Sequence, residues 1–322
     1  DVYKRQEKAC LGVASTNPDL RFFAHHKVLY NAAHPRDKVA ILAGGGAGHE
    51  PAFSGLVGSG LVTVAVSGDV FASPSSKQIC SGVDLAPTDK GIVTIVLNYT
   101  GDCLNFGLAS EKARSAFHSE GKGRDIEMVN VGDDVSVGRS KGGLVGRRGL
   151  TGAAFTAKVL GAASEKGDDV QKIAHLGRTM VKNFVTVGSS LDHCHVPGRS
   201  TDPKERGALS QSAVEIGMGI HNEPGAKHIE NKPSGEDLIK EMLELLLRED
   251  DPERSFVKFN KDDDPVLIIN NLGGMSSIEL GAIAAEARTQ IERDWNLRLS
   301  RVYCGTYVTS LNAPGSVSYT HL

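Results

Sequence analysis

Short apolar runs rich in valine and isoleucine occupy residues 39–42, 61–66, 92–97 and 126–131, with helical patterns or turns between them. That alternation constrains the chain to an α/β fold with mixed or largely parallel sheets covered by helices, because parallel strands need crossovers and those crossovers cover both sheet faces. Small and apolar residues recur at helical spacing over 152–164, and a second helical pattern covers 170–184. The strand-like "FVTVGSSL" then opens a second lobe. Its elements are a helix at 235–248 with Ser234 as N-cap, the apolar segment "DPVLIINNLGG", a helix from Ser276 to Trp295, and a last strand near 301–311. The expected organisation is two α/β lobes, 7–184 and 185–315. Residues 1–6 and 316–322 are expected to be non-native ends. "DVYKRQ" joins no following pattern, "SVSYTHL" follows a strand abruptly, and the chain reads as a fragment of a longer protein.

The 322 residues are enough for two cores, and 40% hydrophobic with 23% charged residues is ordinary for a soluble protein. A formal charge of −3 gives no electrostatic case for nucleic acid or an anionic membrane as main partner. Five cysteines without a C-x-x-C pair indicate neither a zinc ribbon nor a disulfide framework, which fits a reducing, cytoplasmic compartment. No apolar run approaches the ~20 residues of a membrane span. Glycine stands out, with 37 residues against a usual share of ~7%.

The densest glycine stretch is "GGGAGHEPAFSGLVGSG" at 44–60, directly after the apolar "KVAIL". Its spacing fails both common phosphate-loop patterns: His49 stands where G-x-G-x-x-G needs glycine, and no Lys-Ser/Thr pair follows. Two readings stay open, a tight turn with a capping histidine, or a loop whose amides meet a small polar ligand with His49 pointing in. In "NYTGD" at 98–102, Asp102 lies just past a strand's carboxyl end, where open α/β sheets bind ligands, as a helix cap or a general base. "MGIHNEPG" places His221 in a loop that echoes "GHEP". "LDHCHVPG" sets His193 and His195 on one face if the segment is a strand; hydrogen-bonded structural histidines are the preferred reading. "GRSKGGLVGRRG" reads as a mobile basic loop, either a solvated turn or a docking point for an anionic partner.

In this order, "GGGAGHEP", "GDVFASPS", "NYTGD", "GDDVSVGRSKGGLVGRRG", "SLDHCHVPGR", "GMGIHNEPG" and "LIINNLGG" closely resemble the substrate-binding (K) domain of dihydroxyacetone kinases. "SLDHCHVPGR" and "HNEPG" are similar to the ATP-dependent, fungal-like type. The resemblance implies that His221 adds through its imidazole to the carbonyl of dihydroxyacetone as a hemiaminal, which an alcohol such as glycerol cannot form. It implies that Asp102 contacts the terminal hydroxyl and accepts its proton during phosphoryl transfer, and that His49 hydrogen-bonds the substrate as an acid or base. Gly46, Ala47 and Gly48 match backbone that closes on the ligand. ATP and Mg²⁺ are expected on a separate helical L domain, in cis in the full-length protein and absent from this fragment. A homodimer is likewise implied, and acceptance of glyceraldehyde stays open. One position departs from the family: Leu97 stands where a lysine usually precedes "NYTGD". That departure favours the alternative of a non-catalytic triose-binding or co-regulatory K-type protein.

Overall fold

The computed structural model describes residues 2–121, 123–143, 145–200, 202, 208–260 and 262–321. In chain order the first elements are α1 (Val2–Thr16), β1 (Leu20–Phe23), β2 (Val28–Asn31), β3 (Ala40–Ala47), β4 (Val64–Val70), α2 (Ser76–Leu85), β5 (Ile92–Leu97), α3 (Thr100–Glu120) and β6 (Ile126–Val131). The chain goes on through the short α4 (Arg139–Gly142), then α5 (Gly152–Glu165) and α6 (Val170–Lys182). There follow β7 (Phe184–Ser190), β8 (Val214–Ile216), β9 (Lys227–Ile229), α7 (Gly235–Leu247), β10 (Val266–Asn271), α8 (Ser277–Asp294), β11 (Arg301–Gly305) and β12 (Gly315–His321). Two compact units divide them: Asp1–Val131 with Ala153–Val181, and Gly132–Gly152 with Lys182–Leu322.

The first unit holds a six-stranded sheet in the order β1-β2-β4-β3-β5-β6. β4, β3, β5 and β6 run parallel, and the β1–β2 ribbon adds antiparallel at one edge. All six residues of β5 are buried, the pattern of a strand covered on both faces. Leu42, Val64, Val66, Ile79, Ile92 and Phe106 form one core, each full burial contributing about 2 kcal/mol. Gly44 lets β3 and α3 approach that core, since a Cβ there would lie 2.4 Å from the Val66 carbonyl oxygen and 3.0 Å from the Phe106 ring.

The second unit holds a sheet in the order β11-β10-β12-β7-β8-β9, antiparallel except for β10–β11. Its core gathers Val185, Val187, Leu243, Leu246, Leu267, Ile269 and Ile291 from strands and from α7 and α8. Both helices start where the sequence predicts: Ser234 caps α7 by accepting from the Asp237 amide, and Ser276 forms a capping box with Glu279.

Four boundaries differ from the sequence reading. Residues 132–152, expected in the first lobe, belong to the second unit. The cause is Asp133, wholly buried, whose carboxylate accepts from the Leu150 amide at 2.6 Å, the Gly152 amide at 2.9 Å and the Thr186 hydroxyl at 2.6 Å. Those bonds fasten the excursion to β7. Residues 316–322, expected to be extraneous, contribute through His321 to β12, which pairs with both β10 and β7 in the middle of the sheet. Residues 1–6, expected to be extraneous too, contribute from Val2 to α1, and buried Gln6 donates to the Gly68 carbonyl. The strand predicted over 301–311 ends at Gly305 because buried Asn270 takes over its pairing: its Oδ1 accepts from the Tyr307 and Val308 amides, and its Nδ2 donates to Val308.

Candidate functional site

In the first unit the predicted residues gather at one sheet edge. The stretch read as a turn or loop is largely strand, for Gly44, Gly45, Gly46 and Ala47 are the last four residues of β3. Gly46 runs close to the turn after β4, where a Cβ would meet the Ala72 nitrogen at 2.8 Å, and Gly48 adopts φ 101° as the chain leaves the sheet. His49 follows, 2% exposed, its ring stacked on Phe71 at 5.1 Å between centroids and 15° between planes. Phe71 is placed by its amide, which donates to the Ala47 carbonyl at 2.9 Å.

β5 is the parallel neighbour of β3, so its carboxyl end opens on the same edge. There Leu97 is buried, the Asn98 amide donates to Val131 at 2.9 Å, and α3 begins. Asp102 sits in the first turn of that helix and is 5% exposed. The unpaired amides and dipole of a helix N-terminus favour a carboxylate there. Gly101 beside it packs against Ser73, whose Oγ would be 2.7 Å from a Cβ.

In the second unit His221 lies in the loop between β8 and β9. Glu223 grips it twice: Oε2 accepts the His221 amide at 2.8 Å and Oε1 stands 2.9 Å from Nδ1. Burial pushes the Glu223 carboxyl up, but hydrogen bonds to the His221 ring and amide and the attraction of its charge outweigh that, leaving the pKa at about 2. An ionised carboxylate only accepts, so Nδ1 carries a proton, and the tautomer left whenever the ring is neutral has its lone pair on Nε2. The loop is braced on both sides. The Ser310 hydroxyl donates to Ile220 at 2.7 Å, and Asn222, at φ 63°, accepts the Cys194 amide at 3.0 Å.

β7 stops at Ser190, so His193 and His195 lie on a loop and share no strand face; His193 approaches Glu215 at 3.5 Å and the His195 amide donates to Asn312. The basic segment is tied down. Arg139 and Arg147 lie over the Phe256 ring at 4.4 and 4.2 Å, Arg147 donates to the Phe184 carbonyl, and Arg148 pairs with buried Asp134 at 2.6 Å. Sequence reasoning missed Glu223, Asp134 and Phe71, and singled out Arg148 only as part of the basic loop. Only Glu223 left a local signal, two residues beyond His221.

Among the described residues no group of three His, Cys, Asp or Glu could hold a metal ion, and the glycines a phosphate would need form a strand. No described helix is long and apolar enough to cross a membrane.

A family model, the Dak1 domain, matches residues 11–321. A dihydroxyacetone kinase of Pichia angusta is 44% identical over 314 residues, covering 94% of this chain and 51% of the relative. The chain thus spans about half the length of the curated relatives it matches. Among solved structures, the dihydroxyacetone kinase from C. freundii in complex with AMP-PNP and Mg²⁺ superposes with a TM-score of 0.85 at 28% identity, over 100% of this chain and 56% of that one. A dihydroxyacetone kinase operon co-activator superposes with a TM-score of 0.84 at 27% identity, over 98% of this chain and 91% of that one.

Proposed function

Because this chain belongs to the Dak1 domain family of dihydroxyacetone kinases, we propose that it is the triose-binding part of an ATP-dependent dihydroxyacetone kinase. The observation that carries the reading is the His221–Glu223 pair, which leaves Nε2 as the nucleophilic nitrogen. In the proposed step the Nε2 lone pair forms a bond to the carbonyl carbon, and the C=O π pair moves onto oxygen, which takes a proton from solvent water. The positive charge gained by the ring is held by the Glu223 carboxylate against Nδ1. Only a ketone or aldehyde can react so, which sets dihydroxyacetone apart from glycerol. The tether also fixes the terminal hydroxyl for transfer.

Asp102 is the proposed acceptor of that hydroxyl's proton, and His49, its ring fixed on Phe71, the proposed acid or base at the substrate. Gly46, Ala47 and Gly48 are proposed to line the ligand with backbone. The phosphoryl donor is proposed to be ATP with Mg²⁺ on an L domain in cis, in a cytoplasmic homodimer.

The test is NMR of carbonyl-labelled dihydroxyacetone. A tetrahedral-carbon signal is expected with the wild-type chain and absent with His221→Ala; binding indifferent to that substitution sinks the covalent reading. In the full-length protein Asp102→Ala is expected to keep the adduct and lose phosphorylation. A second reading is a triose-binding co-regulator, slightly favoured by buried Leu97 at the position where the family resemblance implies a usual lysine. It predicts adduct formation with no phosphorylation by the full-length wild type.

A further inference from the structure

The His221–Glu223 pair poses a chemical problem. A carboxylate beside an imidazole favours the protonated ring, and an imidazolium has no lone pair with which to attack a carbonyl. Something must hold Glu223 in place and offset its charge. The segment 132–152 supplies a candidate. Arg148 directs Nε at 2.8 Å and Nη2 at 2.6 Å to Asp134, and Nη2 also donates to the Gly217 carbonyl at 2.7 Å. Asp134 is wholly buried and accepts the Ser136 amide as well, so the guanidinium plane is fixed. Its remaining nitrogen, Nη1, reaches Gly219: a Cβ there would lie 2.7 Å from it and 2.1 Å from Glu223 Oε2. Guanidinium and carboxylate therefore both approach Gly219, two positions before His221.

We propose that Arg148, oriented by Asp134, is a positioning residue for the nucleophile: it holds the Glu223 carboxylate against His221 and offsets its charge, so that the ring stays neutral with Nε2 unprotonated. The proposal rests on reading His221 as the nucleophile. The other charged groups packed around this loop are Glu215, which accepts the Gly225 amide, and His193, which approaches Glu215. They sit on the β8 side and on the 191–199 loop, and neither replaces a cation against Glu223. The placement also gives the 132–152 excursion a chemical purpose beyond its anchor at Asp133.

The test uses histidine-¹⁵N-labelled chain, with the His221 resonances assigned through His221→Asn, alongside the labelled-dihydroxyacetone signal. The wild type is expected to show Nδ1 protonated and Nε2 unprotonated at pH 7. Arg148→Gln is expected to raise the pH at which His221 deprotonates by at least one unit. It should cut adduct occupancy at pH 7 by about tenfold, with recovery at higher pH. Arg148→Lys is expected to restore part of both. If Arg148→Gln does not fold, Asp134→Asn combined with Arg148→Gln removes both charges of the buried pair and is expected to show the same pH shift. An unchanged His221 titration in the folded variant overturns the proposal, even if adduct is lost. A wild type that forms no adduct, yet whose His221 titration responds to Arg148, overturns the nucleophile reading and supports the positioning role.

Discussion

His49 leaves the carboxyl end of β3, a parallel strand in the middle of its sheet, whereas His221 rides a loop between two three-residue antiparallel strands at one edge of the second unit's own sheet. The first is placed by backbone: adjacent parallel strands end together, and a neighbouring turn delivers Phe71 under the ring. The second is placed by side chains: Glu223, Asn222 and Ser310 each hold one part of the loop. A parallel sheet fixes a functional edge through the ends of its strands. A loop without that support needs polar bonds, and each bond brings a charge or donor that also tunes the chemistry.

Two glycine substitutions break the comparison most sharply. Gly219→Ala pushes a methyl against the ends of two side chains, the Glu223 carboxylate and the Arg148 guanidinium, rather than against backbone. It is expected to abolish the dihydroxyacetone adduct in the labelled-carbonyl spectrum while leaving the urea midpoint nearly unchanged. Gly44→Ala meets the rigid Val66 carbonyl instead and is expected to cost about 3 kcal/mol in urea denaturation. If both variants lose stability alike, the distinction between backbone and side-chain placement fails.

Asp133→Asn probes the anchor of the excursion. It replaces a carboxylate that accepts three buried hydrogen bonds with an amide that can accept at only one of its two positions, so a loss of about 2 kcal/mol is expected by calorimetry.

Acid sharpens the contrast next. Glu223 titrates at about 2 when folded against an ordinary 4.5, so its stabilisation is complete above pH 4.5 and disappears as pH falls through 2. The wild type should exceed Glu223→Gln by about 2 kcal/mol at neutral pH, discounted for partial exposure, with the two denaturation curves converging near pH 2. A pH-independent difference would remove the charge from the account.

The smallest effects should be equal in the two units. Ser75→Ala and Ser276→Ala each delete one capping box and should cost about 1 kcal/mol by thermal melts.

Much of the fold was legible. The apolar runs at 39–42, 92–97 and 126–131 became β3, β5 and β6, and Ser234 caps the helix it announces, because period and capping act over a few residues. The glycine stretch misled in form, since a glycine run reads as a turn unless the close packing of α3 and β4 is known. His49, Asp102 and His221 were legible as unusual residues at the ends of apolar runs. Their surroundings were not.

The sequence by itself determined which segments pair as strands and helices and which side chains could do chemistry, for those are properties of neighbours along the chain. Only the tertiary structure decided that Asp133 carries 132–152 into the second unit, that residues 315–321 lie at the centre of its sheet, and that Arg148 and Glu223 converge on Gly219. Each depends on partners some 50 residues or more apart in the chain, as Asp133 is from Thr186. Burial and charge pairing follow the path of the folded backbone, which no local pattern records.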